Sequence, residues 1–117
     1  MVQLDRGRAM SDESQKEAVF SVDTPLGFRV LVSHADWQAI VAKHPEIAER
    51  ASDVALALSS PDEVRRSRRD RHVLLFYRAE RVRRWVVAVA VPRGINGRLI
   101  TAYRTDVIKE GTRIWPK

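Results

Sequence analysis

Seven consecutive residues, Trp85 to Val91, read WVVAVAV and are apolar at both parities. A strand with one wet face alternates, so a run of this kind needs cover on both faces. Its β-branched and aromatic content marks it as a strand, and it is far too short to span a bilayer. The run Val73 to Phe76 behaves in the same way. Together they predict the centre of a sheet with helices on one face. An N-terminal hairpin, or a second copy of the chain, is the available cover for part of the other.

The rest of the chain supplies those elements. Two alternating runs, Val19–Asp23 and Phe28–Ser33, flank Thr24-Pro25-Leu26-Gly27 and predict a β-hairpin. From Ser33 the period changes. Trp37, Ile40 and Val41 share one helix face, with Ser33 or Asp36 as cap, and Pro45 stops the helix near His44. Pro45 then opens a second predicted helix, whose apolar stripe is Ile47, Ala51, Val54, Ala55 and Leu58. Beyond Pro61 the pattern turns to strands: Glu63–Arg68, Val73–Arg78, Trp85–Val91 and Leu99–Thr105, the last preceded by the turn signal Asn96-Gly97. The connections are too short for parallel crossovers. The expected fold is α+β: an N-terminal β-hairpin, two helices, then a four-stranded antiparallel meander. Residues 1–17 are polar and aperiodic and read as a disordered tail or leader, leaving residues 18–117 as a single domain.

Composition narrows the chemistry. The 117 residues include no cysteine, which excludes a disulfide scaffold, a thiol nucleophile and Cys-based zinc sites. With only three histidines, His34, His44 and His72, a His-rich metal site is not expected, and no nucleotide or metalloprotease motif implies a cofactor. No signal-peptide pattern opens the chain, so a cytoplasmic protein with no membrane partner is the default expectation.

The net charge is +6, and 17 of the 21 basic residues are arginine. Nine of those lie between Arg65 and Arg84 against only Asp70 and Glu80. Arginine offers phosphate a planar, bidentate fork, so this footprint fits a polyanion such as RNA. Arg81, Arg83 and Arg84 are candidate backbone contacts. Arg66 is a candidate phosphate ligand, although charge on an edge strand also serves to prevent pairing with other chains.

His44 is fixed by Pro45 at the junction of the two helices. Histidine suits general acid–base work, and it equally suits capping the first helix's last carbonyls. On the last strand Thr101 and Tyr103 project together, with Arg104 on the other face. The hydroxyl pair could line a concave phosphate site or simply face water.

Taken in order, these pieces are a Trp-bearing helix, HPE, a second helix, SSPDEV, an Arg/Ser strand, LLFYR, WVVAVAV, LITAYRTDVIKEG and IWPK. From Val32 to Lys117 this resembles the phage-associated members of the barnase–EndoU–colicin–RelE fold, the BECR nucleases. The resemblance implies a RelE/barnase-like domain in which two helices pack on the meander and RNA is cleaved, without metal, on the sheet's open face. His44 would match the helix-borne His, Arg66 or Ser67 the polar position of the first strand, Tyr77 the aromatic of the second, and Thr101 and Tyr103 those of the last. The hairpin lies outside the shared core.

The leading expectation is a small metal-independent endoribonuclease, a toxin or phage-linked effector. RNA carries its own 2′-hydroxyl nucleophile, so the protein need only move protons and stabilise phosphorane charge. His44, Arg66, Thr101 and Tyr103 would be the catalytic set. Ser67, Tyr77, Arg81, Arg83, Arg84 and Arg104 would contact substrate. An antitoxin or immunity protein and a homodimer are the further partners considered. The alternative is a non-catalytic nucleic-acid, ribosome or protein-binding module of the same fold.

Overall fold

The computed structural model of the protein describes residues 18–81, 83–108 and 111–117. The expected N-terminal tail, residues 1–17, lies outside them. In chain order the elements are β1 (Ala18–Asp23), β2 (Arg29–Ser33), α1 (His34–Lys43), a 3-10 turn (Pro45–Ile47), α2 (Ala51–Ser59), β3 (Glu63–Arg66), β4 (Leu74–Arg81), β5 (Arg84–Arg93), β6 (Asn96–Thr105) and β7 (Thr112–Trp115). The class is α+β, with a single mixed sheet of seven strands in the order β1-β2-β6-β5-β4-β3-β7. Among the described residues no helix is long and apolar enough to cross a membrane.

The expected sheet of four strands is too small. Strands β3 to β6 pair consecutively and antiparallel, but they form only the centre. The hairpin extends the sheet instead of covering its open face. Its β2 runs parallel to β6 through Arg29–Asn96 and Val30–Gly97, and Arg29 N–H bonds the Ile95 carbonyl at 2.8 Å. Gly97 permits this junction, because a Cβ there would sit 2.5 Å from the Phe28 ring. The other addition is β7, a strand outside the expected set. It pairs antiparallel with β3 at the far edge.

The helices also differ from expectation. Ser33 caps α1 by accepting the Asp36 N–H at 3.1 Å, as a helix N-terminus requires. Pro45 starts only the 3-10 turn, and α2 begins at Ala51. The break turns Ile47 fully into the core with Val54, Ala57 and Leu58, while Ala55 stays half-buried. Against them pack Val64, Leu74, Phe76, Val86, Ala88 and Ala90 from the sheet.

The apolar double parity of β4 and β5 has a concrete cause. On the face opposite the helices, Leu75, Tyr77, Val87 and Val89 form a second buried cluster. The connection from β6 to β7 supplies part of its cover, through Ile108, before Gly111 anchors against β3.

Candidate active site

α1 ends beside the exposed stretch of β6, where β2 has already diverged, and the gap between them is a cavity of about 340 Å³. Asp36, Lys43 and His44 line it from the helix side, and Arg98, Ile100 and Thr101 from β6. A bulge shapes the strand wall. Ala90 pairs with Leu99 and Val89 with Thr101, so Ile100 is the extra residue. The bulge sets Thr101 and Tyr103 on the face of the second cluster, Tyr103 resting against it.

Of the four expected catalytic residues, His44 and Thr101 line this cavity, and Tyr103 is in ring contact with His44. The rings of His44 and Tyr103 are 5.8 Å apart, inclined at 36°. The Thr101 hydroxyl oxygen is buried and has no hydrogen-bond partner among the described residues. A hydroxyl left so costs stability, and its oxygen is closed to solvent although Thr101 lines the cavity. His44 Nδ1 also lies 3.6 Å from a Glu46 carboxylate oxygen. The capping alternative for His44 is met by its main chain: the backbone N–H, not the ring, bonds the Ile40 carbonyl at 2.9 Å. The imidazole is left for other work.

Arg66 does not join them. It lies on β3, three strands from β6 and so about 14 Å away at ordinary strand spacing. Its guanidinium is turned to the Arg71 carbonyl at 2.7 Å. The strand expected to run to Arg68 stops at Arg66, because Ser67 folds the chain. Its buried hydroxyl accepts the N–H groups of Arg69 (3.2 Å) and Asp70 (3.4 Å), and Asp70 in turn accepts the His72 N–H. Ser67 is therefore a turn residue. Arg68, Arg69 and Arg71 are left exposed in the loop.

The remaining candidates divide by exposure. Tyr77 is 1% exposed and packs edge-on to Trp85, with ring centroids 6.5 Å apart, so it supports the second cluster and does not face solvent. Arg81 and Arg83 are exposed and Arg84 half-buried at the β4–β5 hairpin, where Arg83 adopts a positive φ of 62°. Arg104 is committed elsewhere. Its guanidinium donates two bonds to the Glu80 carboxylate, at 2.7 and 2.9 Å, on the helix side of the sheet. That bidentate contact, offset by burial and aided by the charges of Arg104, Arg50 and Arg81, holds the Glu80 carboxyl below its ordinary range. The same pairing raises Arg104.

Sequence reasoning missed Lys43 and Arg98. Nothing local marks either one. Arg98 lies outside the dense Arg65–Arg84 stretch, and only the β6 bulge and the end of α1 bring the two cations to one cavity. Comparison of the chain with known protein families, characterised proteins and solved structures gives no match.

Proposed function

We propose that the chain is a metal-independent endoribonuclease of the RelE/barnase type, acting in the cytoplasm as a toxin or phage-linked effector and held in check by an acidic inhibitor protein. The antiparallel centre β3–β6 under two helices supports the fold assignment, with β1, β2 and β7 added at its edges. The observation that carries the chemistry is the His44–Tyr103 contact, with His44 on a cavity that Thr101 and two cations, Lys43 and Arg98, also line.

In this reading a phosphodiester enters the cavity. The 2′-oxygen loses its proton and bonds to phosphorus while the bond to the next nucleotide's 5′-oxygen breaks. That oxygen takes up a proton, and a 2′,3′-cyclic phosphate remains. His44 carries one of the two protons. Lys43 and Arg98 neutralise the phosphorane in place of Arg66, and the Thr101 hydroxyl, turned out of its buried position, donates to one of its oxygens. Tyr103 orients the imidazole by ring contact.

The test is cleavage of several structured RNAs, each paired with a copy carrying 2′-deoxynucleotides. Cyclic phosphate ends on the RNA, and no cleavage of the deoxy copy, are the expected results. Ends bearing a 3′-hydroxyl and 5′-phosphate would overturn the mechanism.

One observation favours the non-catalytic alternative. Ile108 lies over part of the face on which the resemblance would place RNA cleavage. Binding of RNA without cleavage of any substrate would establish that reading.

A further inference from the structure

We propose that the outer edge of β1, with the groove it makes against α2, is the surface through which two copies of this chain pair. The inference is independent of the ribonuclease reading. β1 is the last strand of the sheet on its side, and among the described residues no strand pairs with its outer edge. Such an edge presents alternate N–H and C=O groups to any incoming strand, and proteins ordinarily guard it with lysine, proline or inward charge. The opposite edge is guarded: β7 carries Arg113 and is followed by Pro116 and Lys117. β1 reads AVFSVD and holds no lysine, arginine or proline.

The side chains beside this edge are apolar. Val19, Phe20 and Val22 face Ala55 and Leu56 of α2 across an open groove of about 510 Å³, and Leu56 is 43% exposed. No residue lining the groove is ionisable, on a chain of net charge +6. The two acids nearest it in sequence are already paired, Asp23 with Arg29 and Asp53 with Arg50, each at 3.2 Å.

Charge decides the occupant. A nucleic acid or an acidic protein is drawn to the arginine hairpins and gains nothing electrostatic here. Two copies meeting at this neutral patch bring no like charges into contact. Antiparallel pairing of β1 with its own counterpart about a two-fold axis is self-complementary. It satisfies the outward backbone groups of both strands and sets each groove beside the other copy's apolar side chains.

The test is sedimentation equilibrium of the full-length chain, with Ser21→Lys and Leu56→Glu as variants. Ser21 and Leu56 are both exposed, so neither substitution opens the core. The wild type should dimerise with a Kd in about the micromolar range, and each variant should weaken this at least about tenfold. Far-UV circular dichroism should stay unchanged. Amide exchange in β1 should slow as wild-type concentration rises and should not slow in either variant. A wild type that stays monomeric overturns the proposal, including one that captures a foreign strand or an acidic protein instead. A dimer that survives either substitution overturns it as well.

Discussion

His44 and Tyr103 touch ring to ring, 5.8 Å between centroids, while the backbone N–H of His44 closes α1 on Ile40. The two roles of one residue therefore belong to different atoms. A substitution removes the ring and keeps the cap. His44→Ala should change stability by no more than about 1 kcal/mol, as at other part-exposed positions. Cleavage should fall by about 10²–10⁴, the usual loss for one acid–base group. RNA affinity should stay within a few fold. Undiminished cleavage by the variant would remove His44 from the mechanism.

Thr101 separates stability from activity in the opposite sense. Its hydroxyl oxygen is buried without a partner, and valine keeps the branched shape that a strand prefers. Thr101→Val should stabilise the domain by about 1 kcal/mol, since the cost of an unsatisfied hydroxyl disappears. It should also slow cleavage, because the phosphorane is left with one donor fewer. Denaturant titration and single-turnover kinetics read the two effects. A stabilised variant of full activity would make the hydroxyl irrelevant to the reaction.

Glu80 and Arg104 predict a pH dependence. The Glu80 and Arg104 side chains are 15% and 16% exposed, and the guanidinium holds the Glu80 carboxyl below its unfolded value. A group depressed on folding contributes stability above its unfolded pKa, and that contribution is lost as pH falls through the folded one. Glu80→Gln should therefore cost about 1.5–3 kcal/mol at neutral pH, the range for a charged hydrogen bond. The gap between wild type and variant should narrow below pH of about 4. Urea unfolding across this range checks it, and a gap that widens in acid contradicts the assignment.

Much of the fold is legible in local pattern. The change of period at Pro61 separates helices from sheet, and the double parity of Trp85–Val91 announces two covered faces. His44, Thr101 and Tyr103 can be named because each sits at a readable position, a Pro-fixed helix junction or one face of a strand. The failures are non-local. Ser67 and Asp70 bend the chain through side-chain bonds that a strand pattern does not reveal. Arg104 reads as a substrate contact in the sequence because its partner, Glu80, is remote along the chain and reaches it only across β5. Lys43 and Arg98 meet through tertiary placement alone. The cover on the second face comes from Ile108 in a late connection, not from the N-terminal hairpin.

Gly111 tests that connection. Its φ is +85°, and a Cβ would lie 2.5 Å from the Arg66 carbonyl oxygen and 3.2 Å from the Arg65 Cβ. The neighbour is backbone of a paired strand, so it cannot swing away. Gly111→Ala should destabilise by about 2 kcal/mol or more, combining left-handed strain with the clash. A neutral result in chemical denaturation would mean that the chain enters β7 by another path.

The arginine hairpins make the last prediction. Arg68, Arg69 and Arg71 sit in the β3–β4 loop, and Arg81 and Arg83 at the β4–β5 hairpin. The two loops bracket the eight residues of β4, and so lie on the order of 20 Å apart along the strand. Register places the β3–β4 loop at the same end of the sheet as the β5–β6 hairpin, because Leu74 pairs with Ala90 and Arg93 with Asn96. Arg98 of the cavity lies just beyond that hairpin. An RNA strand held at the cavity therefore passes the Arg68–Arg71 loop first. Reversing Arg68, Arg69 and Arg71 to Glu should weaken RNA binding more than reversing Arg81, Arg83 and Arg84. Every phosphate that a variant no longer neutralises should reduce the slope of log K against log salt by about one. Both sets are largely exposed, so the fold should tolerate either reversal. Equal binding by both variants and the wild type at low salt would show that the basic surface does not serve RNA at all. A larger loss of affinity from the Arg81 set would place the RNA path at the other end of the sheet.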